Sequence, residues 1–251
     1  MLTADDLEDA LAGAGLAAPV RAEEVTGSTN ATAQELAAAG APEWTLVSAA
    51  HQTNGRGRLG RAWHDRAGTS LICSFVLRPE MAPARVGLLT LLAGASLAEA
   101  ARSYGAEAGC RWPNDLVTPE GKAGGILAES VVAAGSLEHV VIGTGVNLGE
   151  PPAGVEGASA LRGVDAGALL GRYLQRFAAR YEPAAHGFAA EVVAAARATS
   201  VTLGTRVEVA REPGGPLIGT AVDLDGDGGL VVDTGAALET VAFGELVRLQ
   251  R

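Results

Sequence analysis

The sequence has few cysteines and no excess of positive charge. Its 251 residues include two cysteines, Cys73 and Cys110, which lack CxxC spacing and neighbouring histidines. This speaks against a disulfide framework and predicts two reduced, mostly buried thiols in a reducing compartment. The formal net charge is -10 and the isoelectric point is near 4.9. A general nucleic-acid binder would carry a broad basic face, so that class of function is disfavoured.

A signal peptide and a membrane-spanning run are also lacking. Residues 1–6 are acidic and contain neither the basic nor the apolar region of a signal peptide. The longest apolar run, about residues 86–101, is interrupted by glycines and by Glu99 and is too short to span a bilayer. It predicts a buried helix, and we expect a cytoplasmic protein with no membrane partner.

One basic stretch contrasts with this acidic background. Residues 55–61, with the sequence GRGRLGR, contain three arginines and three glycines in seven positions. Glycine lets backbone N–H groups approach a ligand closely, and arginine offers a planar fork of donors suited to carboxylate and phosphate. The stretch lies in a connection of about 18 residues between two predicted strands, 44–50 and 69–77, and loops of that length are often binding loops. We expect an anion site; a mobile solvated loop and an arginine–glycine nucleic-acid patch are the alternatives.

A polar stretch precedes a predicted helix. Residues 27–30 (GSTN) come directly before the helix-forming run 31–39, so a helix should begin at Ser28 or Thr29. These side chains can serve only to cap the helix. The same hydroxyl groups and the free N–H groups of the first turn can also bind a polar or anionic ligand. The spacing alone leaves both interpretations open.

The sequence changes character near Leu203. From there, short alternating runs are separated by turns such as 225–229 (DGDGG), which predicts a small antiparallel barrel of about 50 residues. The predicted strands are 206–209, 219–224, 230–232 and 245–249. Before this part, residues 165–199 predict two helices that meet near Pro183. The glycines of 143–145 lack a third glycine and a following helix, so a dinucleotide-binding fingerprint is not supported.

Five motifs follow one another along the chain. They are GSTN at 27–30, Gln52 with the arginine stretch at 55–61, RWPNDL at 111–116, KAGGIL at 122–127 and GTGVN at 143–147. Together they resemble the motifs of biotin protein ligases, the enzymes that attach biotin to carboxylase carrier domains, from about residue 25 to the C-terminus. The resemblance implies an α+β fold of the class II synthetase-like type, a mixed sheet of about seven strands with helices mostly on one face. It also implies a catalytic domain at 1–200 and an SH3-like barrel at 201–251.

The resemblance implies a two-step reaction. The biotin carboxylate attacks the α-phosphate of ATP and gives biotinyl-5′-AMP and pyrophosphate. A lysine of a biotin carboxyl carrier protein domain then attacks the mixed anhydride and releases AMP. Lys122 and Arg58 would be the catalytic residues, and Lys122 would stabilise the charge that develops in the transition state.

The same resemblance assigns binding positions. Those that would bind biotin are Ser28, Thr29, Asn30, Gln52, Arg56, Gly57, Arg58, Lys122 and Gly125. Those that would bind ATP or the adenylate are Arg56, Arg58, Arg61, Trp63, Arg111, Asn114, Lys122 and Asn147. A Mg²⁺ cofactor would be held by Asn114 and Asp115, because hard oxygen ligands suit that ion.

Some positions depart from the family pattern. Arg111 stands where the family more often has lysine, and Leu59 receives no role. About 24 residues precede the first motif, so we expect neither the N-terminal DNA-binding domain of some members nor a DNA partner. The alternatives are a lipoyl or octanoyl ligase or transferase of the same fold, and a biotin-binding regulator without ligase activity. The sequence does not distinguish a monomer from a homodimer.

Overall fold

The computed structural model describes residues 1–210, 215–242 and 245–250. The larger of its two sheets is a seven-stranded mixed sheet. Its strands lie in the order β1-β2-β3-β7-β6-β5-β4. The bounds are β1 Val20–Thr26, β2 Leu46–Gln52, β3 Ser70–Leu77, β4 Gly109–Arg111, β5 Asp115–Thr118, β6 Gly121–Ala133 and β7 Ser136–Asn147. β1 and β2 are parallel, and the other neighbours pair in the antiparallel sense. This confirms the predicted mixed sheet.

The helices of the described residues divide between the two faces of this sheet. They are α1 Ala4–Gly13, α2 Thr29–Ala38, α3 Gly87–Arg102, α4 Ala166–Ala178 and α5 Phe188–Thr199. Side chains alternate along a strand, so Phe75 of β3 joins the main core with α1, α3, α4 and α5. Its neighbour Val76 packs on the other face against Ala33 and Ala37 of α2. Helices therefore lie mostly on one face, as predicted, and α2 is the exception.

Helix α3 is the buried helix that the sequence predicted. With the short turn before it, the segment Pro83–Arg102 is long and apolar enough to pass for a membrane span by length and composition. Most of that segment is buried inside the protein, where Leu88, Leu89 and Leu92 are fully inaccessible. The apolar side chains of α3 therefore pack in the core of the protein.

A five-stranded antiparallel sheet follows in the described part of the C-terminal region, in the order β11-β10-β9-β8-β12. Its strands are β8 Arg206–Ala210, β9 Leu217–Leu224, β10 Leu230–Asp233, β11 Leu238–Val241 and β12 Glu245–Gln250. The predicted small antiparallel unit is confirmed, with β11 as a strand that the sequence pattern did not indicate. The predicted barrel also covers 211–214, 243, 244 and 251, which lie outside the described residues.

The five-stranded sheet packs against the seven-stranded sheet and its helices next to the RWPNDL motif. The indole nitrogen of Trp112 donates to the carbonyl of Gly228 at 3.1 Å, and the Trp112 N–H donates to Thr202 Oγ1 at 2.9 Å. Gly228 has a φ of +86°, and a Cβ there would overlap Leu91 of α3. The turn between β9 and β10 therefore fixes the segment that joins β4 to β5.

Both cysteines are free, as expected from their spacing. Cys73 on β3 is fully buried and Cys110 on β4 is partly buried. Burial raises the pKa of each thiol to about 12, so neither is a nucleophile near neutral pH.

Candidate active site

Small residues leave room on the sheet face that carries α2. Ile72 of β3 is on the same face as Val76, and β7 contributes Gly143 and Gly145 there. A cavity of about 230 Å³ opens at this place, beside the N-terminus of α2. The predicted residues that line it are Ser28, Thr29, Asn30, Gln52, Arg56, Gly57, Arg58, Arg61, Trp63, Arg111, Asn114, Asp115, Lys122 and Gly125. The structure thus brings together residues from five separate motifs.

The arginine stretch forms a hairpin over this cavity. The Gly57 N–H donates to the Arg61 carbonyl at 2.7 Å, and the Trp63 N–H donates to the Gly55 carbonyl at 2.9 Å. A short 3-10 turn, Arg58–Gly60, forms the tip, and Leu59 there has a φ of 55°. The backbone conformation of the stretch is therefore set by its own hydrogen bonds.

A buried carboxylate anchors the base of this hairpin. The Asp65 side chain is fully inaccessible; its carboxylate lies 2.8 Å from His51 Nδ1 and accepts from the Gln52 N–H at 3.2 Å. These contacts tie the returning arm of the loop to the last residues of β2. The sequence analysis did not single out Asp65, whose partners lie 13 and 14 residues away.

Three cationic side chains gather around one carboxylate at the floor of the cavity. Asp115 Oδ1 lies 2.6 Å from Lys122 Nζ, and Asp115 Oδ2 lies 2.6 Å from Arg111 Nη2. The third cation, Arg58, donates to Asn114 Oδ1 at 3.2 Å. Burial lowers the pKa of the Arg58 guanidinium, while the negative charge of Asp115 acts in the opposite direction. Positive charge exceeds negative charge in this cluster, so the cluster suits an anionic ligand.

The predicted metal ligands do not fit a Mg²⁺ ion in this arrangement. Both carboxylate oxygens of Asp115 are paired with cations, and the side-chain oxygen of Asn114 accepts from Arg58. A divalent cation among three positive side chains would also be repelled. Among the described residues there is no group of three or more histidine, cysteine or acidic side chains suited to a metal. Asn114 and Asp115 therefore do not form a Mg²⁺ site in this arrangement.

The other end of the cavity is polar and begins at the N-terminus of α2. Gln52 Oε1 accepts from the Thr29 N–H at 2.7 Å and from its hydroxyl at 3.1 Å. Ser28 stands at the N-cap position, as predicted, but its side chain makes no capping hydrogen bond. The capping interpretation therefore does not account for Ser28, and a polar-ligand role remains for it.

Two predicted nucleotide contacts differ in their placement. Trp63 lies over β7, where a Cβ on Gly145 would overlap the indole ring, and its Nε1 has no hydrogen-bond partner in the described part of the protein. Asn147 is not among the residues that line the cavity, and its Nδ2 donates to the Ser159 carbonyl at 2.9 Å. Its buried Oδ1 lacks a partner within the described ranges.

Several residues near the site were missed by sequence reasoning. Ile72, Ile126 and Leu127 give the cavity apolar walls, and Leu246 reaches it from the C-terminal sheet. Ser74 and Glu129 contact Asn30 from two other strands. Ser74 could have been noticed as a polar residue inside the apolar run of β3. No local sequence pattern marks Glu129 as a residue near the site.

Comparison with known proteins identifies the family that has this architecture. Residues 22–147 match the model of the Biotin/lipoate A/B protein ligase family, and residues 202–248 match the Biotin protein ligase C terminal domain. These two matches identify the seven-stranded sheet with its cation-lined cavity, and the small C-terminal unit, as those of a protein ligase of the biotin and lipoate class.

Curated and solved relatives narrow this class. The chain is 35% identical over 240 residues to the biotin–[acetyl-CoA-carboxylase] ligase of Mycobacterium tuberculosis, covering 90% of this chain and 87% of that one. It is 31% identical to the bifunctional ligase/repressor BirA of Bacillus subtilis, over 89% and 72% of the two chains. The Aquifex aeolicus biotin protein ligase in complex with biotin and ATP superposes with a TM-score of 0.72 and 25% identity, over 93% and 99%. The chain belongs to the biotin protein ligases.

Gly143 has no side chain at a place where Asn30 packs closely, so adding one methyl group there should destabilise the fold. A Cβ at this position would overlap the amide of Asn30, which is held by hydrogen bonds to Ser74, Leu127 and Glu129. We expect Gly143→Ala to lower the free energy of unfolding by about 1–3 kcal/mol, measured by urea denaturation. Gly27→Ala is the control, since a Cβ there meets nothing within 4 Å. Equal stability of the two variants would contradict the described packing.

Proposed function

We propose that this chain is an ATP-dependent ligase that converts biotin into biotinyl-5′-AMP and transfers the biotinyl group to a lysine of a biotin carboxyl carrier protein domain. The observation that carries the proposal is the cation cluster on Asp115, at one end of a cavity whose other end is polar and whose walls are apolar. That arrangement suits a small acid with a polar head, an aliphatic chain and a carboxylate that must meet a phosphate.

The first step brings two anions together. At 4 Å and an effective dielectric constant near 20, two unit charges repel by about 4 kcal/mol. Lys122 and Arg58 lie where they can offset this repulsion and the further charge that develops on the α-phosphate. Asp115 holds the Lys122 ammonium group at 2.6 Å and so orients it before substrates bind.

The polar end of the cavity is proposed to bind the ureido head of biotin. Ser28 offers a hydroxyl group there and Gln52 an amide group, which Thr29 holds in place through its N–H and its hydroxyl. Each ureido group left unpaired in such a buried place would cost about 1–3 kcal/mol. Ile72 and Ile126 provide apolar surface for the hydrocarbon chain.

The nucleotide is proposed to occupy the part of the cavity under the arginine hairpin. Arg61 and Arg111 would contact phosphates, and Trp63 would pack on the adenine ring. Asn147, whose buried Oδ1 has no hydrogen-bond partner among the described residues, would bond the adenine edge. Mg²⁺ is proposed as the counter-ion that arrives with ATP and is bound by phosphate oxygens rather than by Asn114 and Asp115.

We further propose a division into two domains and a cytoplasmic location. Residues 1–200 would form the catalytic domain and 201–251 the barrel domain, which contributes Leu246 to the cavity. The carrier domain of a biotin-dependent carboxylase would be the acceptor. A cytoplasmic location agrees with two free thiols, one buried and one partly buried, and with the use of ATP.

The proposal is tested by the release of pyrophosphate from MgATP. We expect release that depends on biotin, with octanoate and lipoate inactive in parallel reactions. Release that follows octanoate or lipoate instead would favour the lipoyl alternative. Biotin binding without release in any of the three reactions would favour a regulator without ligase activity.

Lys122 is the only lysine among the 251 residues, so its substitution is a clean test of its role. We expect Lys122→Ala to slow adenylate formation by at least about 100-fold, because an electrostatic contact in the transition state is lost. Single-turnover formation of biotinyl-AMP and the melting temperature are the two readouts. Lys122→Arg keeps the charge and should recover part of the rate. An alanine variant that retains the wild-type rate would exclude a catalytic role for Lys122.

A further inference from the structure

Arg56 is paired with an acidic residue that belongs to neither the motif set nor the cavity lining. Its Nη2 lies 3.1 Å from Glu129 Oε2, and the two side chains are 38% and 30% exposed. Glu129 is not among the described residues that line the main cavity. It borders, with Leu127, a second groove along the arginine hairpin. The contact therefore joins the hairpin to β6.

Glu129 is itself held in place by a buried side chain. Asn30 is 4% exposed, and its Nδ2 donates to Glu129 Oε2 at 2.7 Å and to the Leu127 carbonyl at 3.3 Å. Its Oδ1 accepts from Ser74 Oγ at 2.6 Å. Both N–H groups of the Asn30 amide are thus used inside the protein. Asn30 therefore positions Glu129, and a direct contact between Asn30 and biotin stays a prediction.

The geometry points to Glu129 as a positioning residue that latches the arginine hairpin to β6 through Arg56. This inference rests on the proposed function, since the hairpin covers the place where the adenylate would form. Arg56 then acts through Glu129 and not through the ligand. The latch keeps Arg58 and Arg61 over the cavity, and its strength sets how long the activated intermediate is retained.

A double-mutant cycle in the ligand-free protein tests the latch without any substrate. Amide hydrogen exchange is measured at Gly57 and Trp63, whose N–H groups close the hairpin. Glu129→Gln and Arg56→Gln should each raise these exchange rates about 2- to 5-fold, as expected for a partly exposed ion pair. The double variant should exchange no faster than either single variant, because both remove the same contact.

Two further variants control for charge and for shape. Glu107→Gln makes the same charge change at an exposed position on another part of the surface and should leave the exchange unchanged. Arg56→Lys keeps a cation opposite Glu129 and should lie closer to wild type than Arg56→Gln. Wild-type exchange in Glu129→Gln, or effects that multiply in the double variant, would overturn the latch.

The retention of the intermediate is measured separately. Preformed biotinyl-AMP should dissociate about 2- to 5-fold faster from Glu129→Gln than from wild type, with the rate of its formation changed less than its release. Unchanged dissociation would overturn the effect of the latch on retention. If the wild-type protein forms no adenylate at all, the proposed function fails, while the exchange experiment still decides whether the latch exists.

Discussion

The site depends on one carboxylate that holds two cations. Asp115 lies between Arg111 and Lys122, with an oxygen 2.6 Å from the nitrogen of each. Without it, the like charges of Arg111 and Lys122 would repel each other, although water would screen part of that repulsion. The pairing of β5 with β6, which sets Asp115 opposite Gly125, brings this carboxylate to Lys122. The cluster is therefore assembled before a ligand arrives. Two cations share one carboxylate, so the cluster keeps a net positive charge that can attract an anionic ligand.

The rest of the fold gives this cluster a confined space. Gly143 and Gly145 remove side chains from β7 where Asn30 and Trp63 approach. The arginine hairpin closes the space from above and is anchored at its base by Asp65. The C-terminal sheet fixes the segment that carries Arg111 through the contact between Trp112 and Gly228. Packing far from the chemistry thus sets the positions of the charged groups.

Much of the architecture could be predicted from the sequence, because it follows from local patterns. The helix start at Ser28, the long loop between β2 and β3 and the alternating runs after Leu203 all have short-range signals. Strand β1 escaped detection because its sequence, VRAEEVT, has the charges of an exposed edge strand. Glu129 escaped for a different reason, since its partner Asn30 is 99 residues away and only the fold brings them together. The metal ligands predicted at Asn114 and Asp115 illustrate the same limit: residue type suggested oxygen ligands, but the neighbouring cations occupy those oxygens.

In the proposed reaction, this cluster of cations promotes the attack of a carboxylate on the α-phosphate of ATP. This step is tested most directly by mixing the protein with biotin and ATP that carries radioactive phosphorus at either the α or the γ position, and then isolating the biotin product. We expect label from the α position to appear on biotin and label from the γ position to leave with pyrophosphate. Label from the γ position on biotin would mean that an acyl phosphate forms instead, and would contradict the proposed reaction.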